Sequence, residues 1–189
     1  VCLPYAGSTS WVYTKWKPYF DKRIELYPIE YPARGKRIKE PLYESIQEAA
    51  DDIYNIIKKD IDRVPFAFFG HSMGSVILFE LIYKILDLGH KKPLHLFFSG
   101  MYAPHLKKDG VTIYNAPFEV VKQEIIELGG MLPELFDNKP FVKMYMPIIR
   151  GDFKIIETYN FIEKGYKLDI DMTVFNGESD KITKEKDMN

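Results

Sequence analysis

The sequence holds a single cysteine, Cys2, among its 189 residues. One thiol excludes an internal disulfide and leaves no cysteine-based metal cluster, which fits a reducing cytoplasm. Neither sign of charge is in excess: 26 basic and 27 acidic side chains leave a formal net charge of −1. No global field therefore draws the chain to nucleic acid or to an anionic membrane surface, and a charged partner has to be met by a local patch. No apolar run is long enough to span a bilayer and no signal-peptide pattern opens the chain, so no membrane partner is expected. Histidine is scarce as well, with only His71, His90, His95 and His105. What is abundant is hydrophobic content, 46% of 189 residues, enough for one compact domain with a sizeable core.

The rest of the chain is arranged around Phe66-Ala67-Phe68-Phe69-Gly70-His71-Ser72-Met73-Gly74. An apolar, aromatic run stopped by Gly-x-Ser-x-Gly and followed by Val76, Ile77, Leu78, Leu81, Ile82 and Ile85 reads as strand, sharp turn and helix. Gly70 and Gly74 let the chain reverse and let the helix pack close to the strand, which leaves Ser72 strained and exposed at the tip. Ser72 is the candidate nucleophile. The blander reading, a serine that only caps a helix, does not require this strand-turn-helix context. The same turn sets the Met73 N–H at a helix N-terminus, where free amides and the dipole can hold an oxyanion.

Val1-Cys2-Leu3 looks like the end of a strand, and Pro4-Tyr5-Ala6-Gly7-Ser8 like a loop made for close backbone approach. Ser8 or Ser10 is a candidate cap for the aromatic segment Trp11 to Trp16, whose tryptophans are expected in core or lid packing. Ile24 to Tyr31 alternates at first, and Pro28 makes it an edge strand or one that ends early. The basic loop Pro32 to Arg37 lacks the context of a phosphate-binding loop and reads as solvated. Ile46, Ala49, Ala50, Ile53, Ile56 and Ile57 predict an amphipathic helix, started by the capping box of Ser45 and Glu48. Gly89 is a plausible C-cap for the helix after Ser72, and Leu94 to Ser99 is a further buried strand. Repeated strand-helix-strand order predicts an α/β protein with a mostly parallel sheet.

Between Ser99 and the next strand, Met172 to Phe175, the chain spends roughly seventy residues where a crossover helix needs about a dozen. Helical patterns over Phe118 to Leu128 and Val142 to Phe161 are expected to form a lid above Ser72, spanning about 104–168. Its Met131, Leu132, Leu135, Phe136, Met144, Tyr145 and Met146 are candidates for an apolar tunnel, with ordinary helix packing as the alternative for many of them.

Leu3-Pro4-Tyr5-Ala6-Gly7-Ser8, Gly70-His71-Ser72-Met73-Gly74, Pro147-Ile148-Ile149-Arg150-Gly151-Asp152 and Gly177-Glu178-Ser179-Asp180 stand in the order and spacing of one family. Over nearly its whole length the chain resembles the type II thioesterases that edit nonribosomal peptide and polyketide synthases. The resemblance implies an α/β-hydrolase fold, a Ser-Asp-His triad and no cofactor. It also implies a substrate class, acyl groups on the phosphopantetheine arm of acyl or peptidyl carrier proteins. Ala6 N–H becomes the second oxyanion donor beside Met73 by the same resemblance, although Ser8 stands where many relatives have a second glycine. A monomer is expected.

The fold requires chain order Ser, then Asp or Glu, then His, with the acid on a loop after a strand. Asp180 meets both conditions and is preferred over Asp109 and Asp152, of which Asp152 is assigned to the lid. Each could otherwise be an ordinary turn or cap aspartate. For the base, His71 should point away from so sharp a turn, His90 and His95 read as structural, and His105 is an outside candidate. The expectation is thus a domain over 1–189, partial at both ends, whose catalytic histidine lies beyond Asn189. Two rivals stay open: a small-molecule carboxylesterase of the same fold, and an inactive module that binds carrier proteins.

Overall fold

A computed structural model of the chain describes residues 1–106, 112–178 and 180. Four strands, β1 (Cys2–Leu3), β2 (Phe68–His71), β3 (Leu96–Ser99) and β4 (Met172–Phe175), form one sheet in the order β1-β2-β3-β4. All three pairings are parallel, with Cys2 opposite Phe69, Phe68 opposite Leu96 and Leu96 opposite Met172. This is the expected α/β architecture. The edge expected at Ile24 to Tyr31 contracts to one bridge, Cys2 to Pro28. That bridge works because its hydrogen bonds run from Cys2 N to Tyr27 O and from Ile29 N to Cys2 O, so the missing proline N–H is not needed.

Helix α1 (Ile46–Ile57) starts where Ser45 Oγ accepts from Glu48 N at 3.0 Å. The Glu48 carboxylate reaches back to Glu44 N, one residue before the cap. Helix α2 (Met73–Asp87) ends with Gly89 at φ 77°, Gly89 N donating to Leu86 O and His90 N to Ile85 O. That pair of bonds is a Schellman motif, and the positive φ is why glycine stands there. Between the sheet and these helices lies the main core, with Leu3, Phe68 and Leu96 from the strands against Ile46, Ile53, Ile77, Leu78 and Leu81.

Between β3 and β4 stand α3 (Phe118–Glu127), a 3-10 turn at Pro133–Asp137, and α4 (Lys139–Glu157). The second helix therefore begins three residues before the predicted Val142 and ends four before Phe161, because Asn138 caps it by accepting from Phe141 N. Helix α3 stops in another Schellman motif at Gly129. Ile113, Val121, Ile125, Phe136 and Ile149 give this segment a small core of its own. Met146 packs against that core, whereas Met144 is 51% exposed. Neither methionine borders the cleft described below, and Phe136 is likewise spent on internal packing.

The aromatic segment is a 3-10 helix, Ser10–Tyr19. Trp16 meets Tyr13 and Phe69 edge-on, as core packing requires, but Trp11 is 70% exposed. Neither Ser8 nor Ser10 caps it. Ser10 gives its N–H and hydroxyl to the Glu30 carboxylate instead, and Thr9 holds the cap position without a side-chain bond.

Candidate functional site

Ser72 is the residue between β2 and α2, at φ 52° and ψ −116°. An L-residue with a positive φ carries steric strain, so surrounding structure has to hold it there. The surroundings are backbone. A Cβ on Gly70 would fall 2.5 Å from Gly74 O, and one on Gly74 would fall 2.2 Å from Leu3 O. Ser72 N donates to Ser99 O at 2.8 Å, and the Ser75 hydroxyl donates to Gly70 O at 2.8 Å, which ties the turn to β3 and to its own strand. The Ser72 side chain makes no capping bond, as a serine present only to cap a helix would.

Met73 is fully buried at the start of α2, and among the described residues nothing accepts from its N–H. Across from it, Tyr5 to Ser8 form a turn closed by Ser8 N to Tyr5 O at 3.1 Å, with Gly7 at φ 74° in the position that needs a left-handed residue. Serine at position 8 is compatible with this turn, since it is Gly7 that takes the positive φ. Two buried tyrosines fasten the chain just before it, Tyr13 through Leu3 O at 2.8 Å and Tyr31 through Pro4 O at 3.0 Å. Burial pushes both phenols up, so they stay protonated donors. The Ala6 N–H, like that of Met73, has no acceptor among the described residues.

The turn is also held from the side by a pair that sequence reasoning missed. Arg34, 2% exposed, reaches Asp152 with two nitrogens at 2.6 and 2.7 Å, and Asp152 Oδ2 accepts from Gly7 N at 2.7 Å. The loop expected to be solvated thus buries its arginine. No local signal announces this, since the partner carboxylate comes 118 positions later.

Asp180 follows β4 in a turn in which its N–H donates to Gly177 O at 3.0 Å. Its charge acts on His71, whose imidazole also pairs through Nδ1 with the Ser99 hydroxyl at 3.0 Å. Burial lowers the His71 pKa, against the opposing pull of Asp180 and of the Ser99 backbone. Ser72, His71, Ser99 and Asp180 thus gather where β2, β3 and β4 end. None of the four imidazoles bonds to the Ser72 hydroxyl. His90 lies between Tyr54 and Asp62, His95 meets Thr173, and the exposed His105 sets its ring edge-on to Phe161. Asp109 and Ser179 lie outside the described residues.

A cleft of about 570 Å³ runs between the Tyr5–Thr9 turn and the segment from Ile126 to Tyr145, with Met131, Leu132, Leu135, Phe141 and Tyr145 on the far wall. Ser72 is not among its walls, but Tyr5 is, and the Tyr5 ring meets His71 edge-on at 5.6 Å. A half-buried serine without a capping bond in a strained turn, two amides with no acceptor among the described residues and an adjoining apolar trough together suit attack on a carbonyl whose oxygen becomes negative.

A family model for the thioesterase domain matches residues 1–188. The chain is 34% identical over 163 residues to linear gramicidin dehydrogenase LgrE of Brevibacillus parabrevis, covering 85% of this chain and 62% of that one. With the medium-chain S-acyl fatty acid synthase thioesterase of Anas platyrhynchos it shares 33% identity over 187 residues, 96% of this chain and 73% of the relative. The crystal structure of ClbQ, from the colibactin NRPS/PKS pathway, superposes with a TM-score of 0.91 at 35% identity, over 98% of this chain and 78% of that one. The chain thus spans between about three fifths and four fifths of the length of these proteins.

Proposed function

The chain belongs to the thioesterase family, and on that premise we propose that the whole protein hydrolyses acyl thioesters held on the phosphopantetheine arm of acyl or peptidyl carrier proteins, in nonribosomal peptide or polyketide synthesis. The observation that carries this reading is Ser72 itself, held at φ 52° without a capping bond from its side chain, beside two amides that have no acceptor among the described residues. Residues 1–189 act as one α/β-hydrolase domain, and the segment between β3 and β4 is its lid.

Ser72 Oγ attacks the thioester carbonyl while a base takes its proton, and the carbonyl oxygen becomes an anion that accepts from Met73 N–H and Ala6 N–H. Collapse of this intermediate breaks the C–S bond, and the thiol leaves with the proton carried by the base. Water then attacks the acyl-enzyme by the same route and frees the acid. Asp180 orients the base. That base is not one of the four histidines described, none of which bonds to the Ser72 hydroxyl. The acyl group occupies the trough under the lid, whose walls offer hydrocarbon and few hydrogen bonds. No cofactor enters this chemistry. Action in the cytoplasm, as a monomer, is part of this reading, and the buried, unpaired Cys2 fits such a reducing compartment.

The test compares, in the whole protein, an acyl-pantetheine with the nitrophenyl ester of the same acid. The thioester should be preferred in kcat/KM, and Ser72→Ala should lose on the order of 10⁴ to 10⁶ in rate while keeping its fold. Preference for the oxygen ester would replace the substrate class by that of a carboxylesterase. A tenth of the activity surviving in Ser72→Ala would remove the nucleophile.

A further inference from the structure

Arg34 and Asp152 form the most deeply buried ion pair among the described residues. Four of the five guanidinium N–H groups are used: two nitrogens on the carboxylate, one of these also on Ser8 O at 2.9 Å, and Nε on Pro32 O at 3.1 Å. The carboxylate answers with Gly7 N at 2.7 Å. Taking two charges out of water is costly, and apolar residues of similar volume often stabilise as well or better, so stability alone is a weak reason for such a pair. What a charged, bidentate pair supplies and an apolar one cannot is direction.

The direction falls on the turn beside Ser72. With Gly7 N held by Asp152, Ser8 O by Arg34 and Ser8 N by Tyr5 O, the peptides of the turn are fixed, and Ala6 N–H is left pointing without a described acceptor. Asp152 belongs to α4, and Ile149, one turn earlier on the same helix, lies 3.2 Å from where a Cβ on Gly7 would stand. One helix therefore both orients the turn and packs against it.

We propose that Arg34 and Asp152 are positioning residues that aim the Ala6 N–H through Gly7 and Ser8, so that the oxyanion site is complete only when α4 is seated. This deepens the thioesterase reading and rests on it. Asp152→Asn keeps an acceptor for Gly7 and removes the charge. The pair Arg34→Met with Asp152→Leu removes the directional bonds and refills the volume. Both are made in the whole protein and assayed on decanoyl-pantetheine. Two probes accompany the assay: a decanoyl trifluoromethyl ketone, which adds to a serine hydroxyl to give an oxyanion, and the decanoyl amide in which nitrogen replaces the thioester sulfur.

Asp152→Asn should lower kcat by on the order of 10², the cost of losing one oxyanion donor, with KM within about twofold. Affinity for the ketone should fall by the same factor, while affinity for the amide stays. The apolar pair should recover the melting temperature but not kcat. Recovery of kcat by the apolar pair, or equal weakening of ketone and amide, would overturn the proposal and leave the ion pair a structural clamp. Either result leaves the thioesterase reading standing, since that reading falls only with Ser72→Ala or with the thioester preference.

Discussion

Two turns face each other at the end of the sheet, and they are held by opposite means. The β2–α2 turn is fastened through backbone, by glycines that let it touch Gly74 and Leu3 and by the Ser72 N–H on Ser99 O. The Tyr5–Thr9 turn is fastened by side chains from distant parts of the chain, Tyr13, Tyr31, Arg34 and Asp152. A turn made of contacts between backbones has nowhere to move, whereas one hung on side chains can be re-aimed by changing them.

The comparison is broken most directly at its glycines. Gly74→Ala should cost about 3 kcal/mol or more, read from the denaturation midpoint, because its Cβ would stand 2.2 Å from a carbonyl oxygen that cannot yield. Gly7→Ala should cost less, about 1–2 kcal/mol for a non-glycine residue at φ 74°, since its nearest neighbour is the end of the Ile149 side chain. Its rate should nonetheless fall about tenfold or more with the proposed oxyanion turn disturbed. If Gly7→Ala proved the more destabilising of the two, the contrast between the turns would fail.

The same contrast explains what could be read from the sequence. Strands β2, β3 and β4, helices α1 and α2 and the Ser72 turn are written in local pattern: apolar runs, 3.6-residue periodicity, a capping box and glycines at fixed offsets. Arg34 looked like one more cation in a basic loop, because its meaning lies in a carboxylate on α4. Met144 and Met146 were drawn toward the tunnel by composition, but helix phase turns Met144 outward and sends Met146 to the small core under α3. Ser10 resembled a cap until Glu30 claimed both its donors.

The segment between β3 and β4, proposed as the lid, sharpens the comparison at a second distance from Ser72. Met131→Trp narrows the trough and should shift the ratio of decanoyl to acetyl turnover about tenfold, an effect of the size a single pocket contact supplies. Met144→Trp, on an exposed position, should leave the ratio within about twofold. Equal shifts would mean that the trough does not hold the acyl chain.

The smallest expected effect concerns His71. Burial holds its pKa below the ordinary 6.5, so as the pH falls through 6.5 the unfolded chain takes up a proton that the folded one still refuses. Stability should therefore decline on the acid side of 6.5, ceasing to change once the folded imidazole is also protonated. His71→Asn, which offers Ser99 an uncharged partner, should flatten that part of a plot of melting temperature against pH. An unchanged slope would show that His71 titrates alike in both states.

The 118 positions between Arg34 and Asp152 also order events in time. The Ser72 turn needs only β2, α2 and their neighbours, while the carboxylate that seats Gly7 is synthesised 145 residues after it. Closing so long a loop costs chain entropy that only the docking of α4 returns. On the proposed reading, a half-folded chain would therefore hold Ser72 in its turn before the oxyanion site was finished, and an acyl chain meeting it early would find a serine not yet able to cleave.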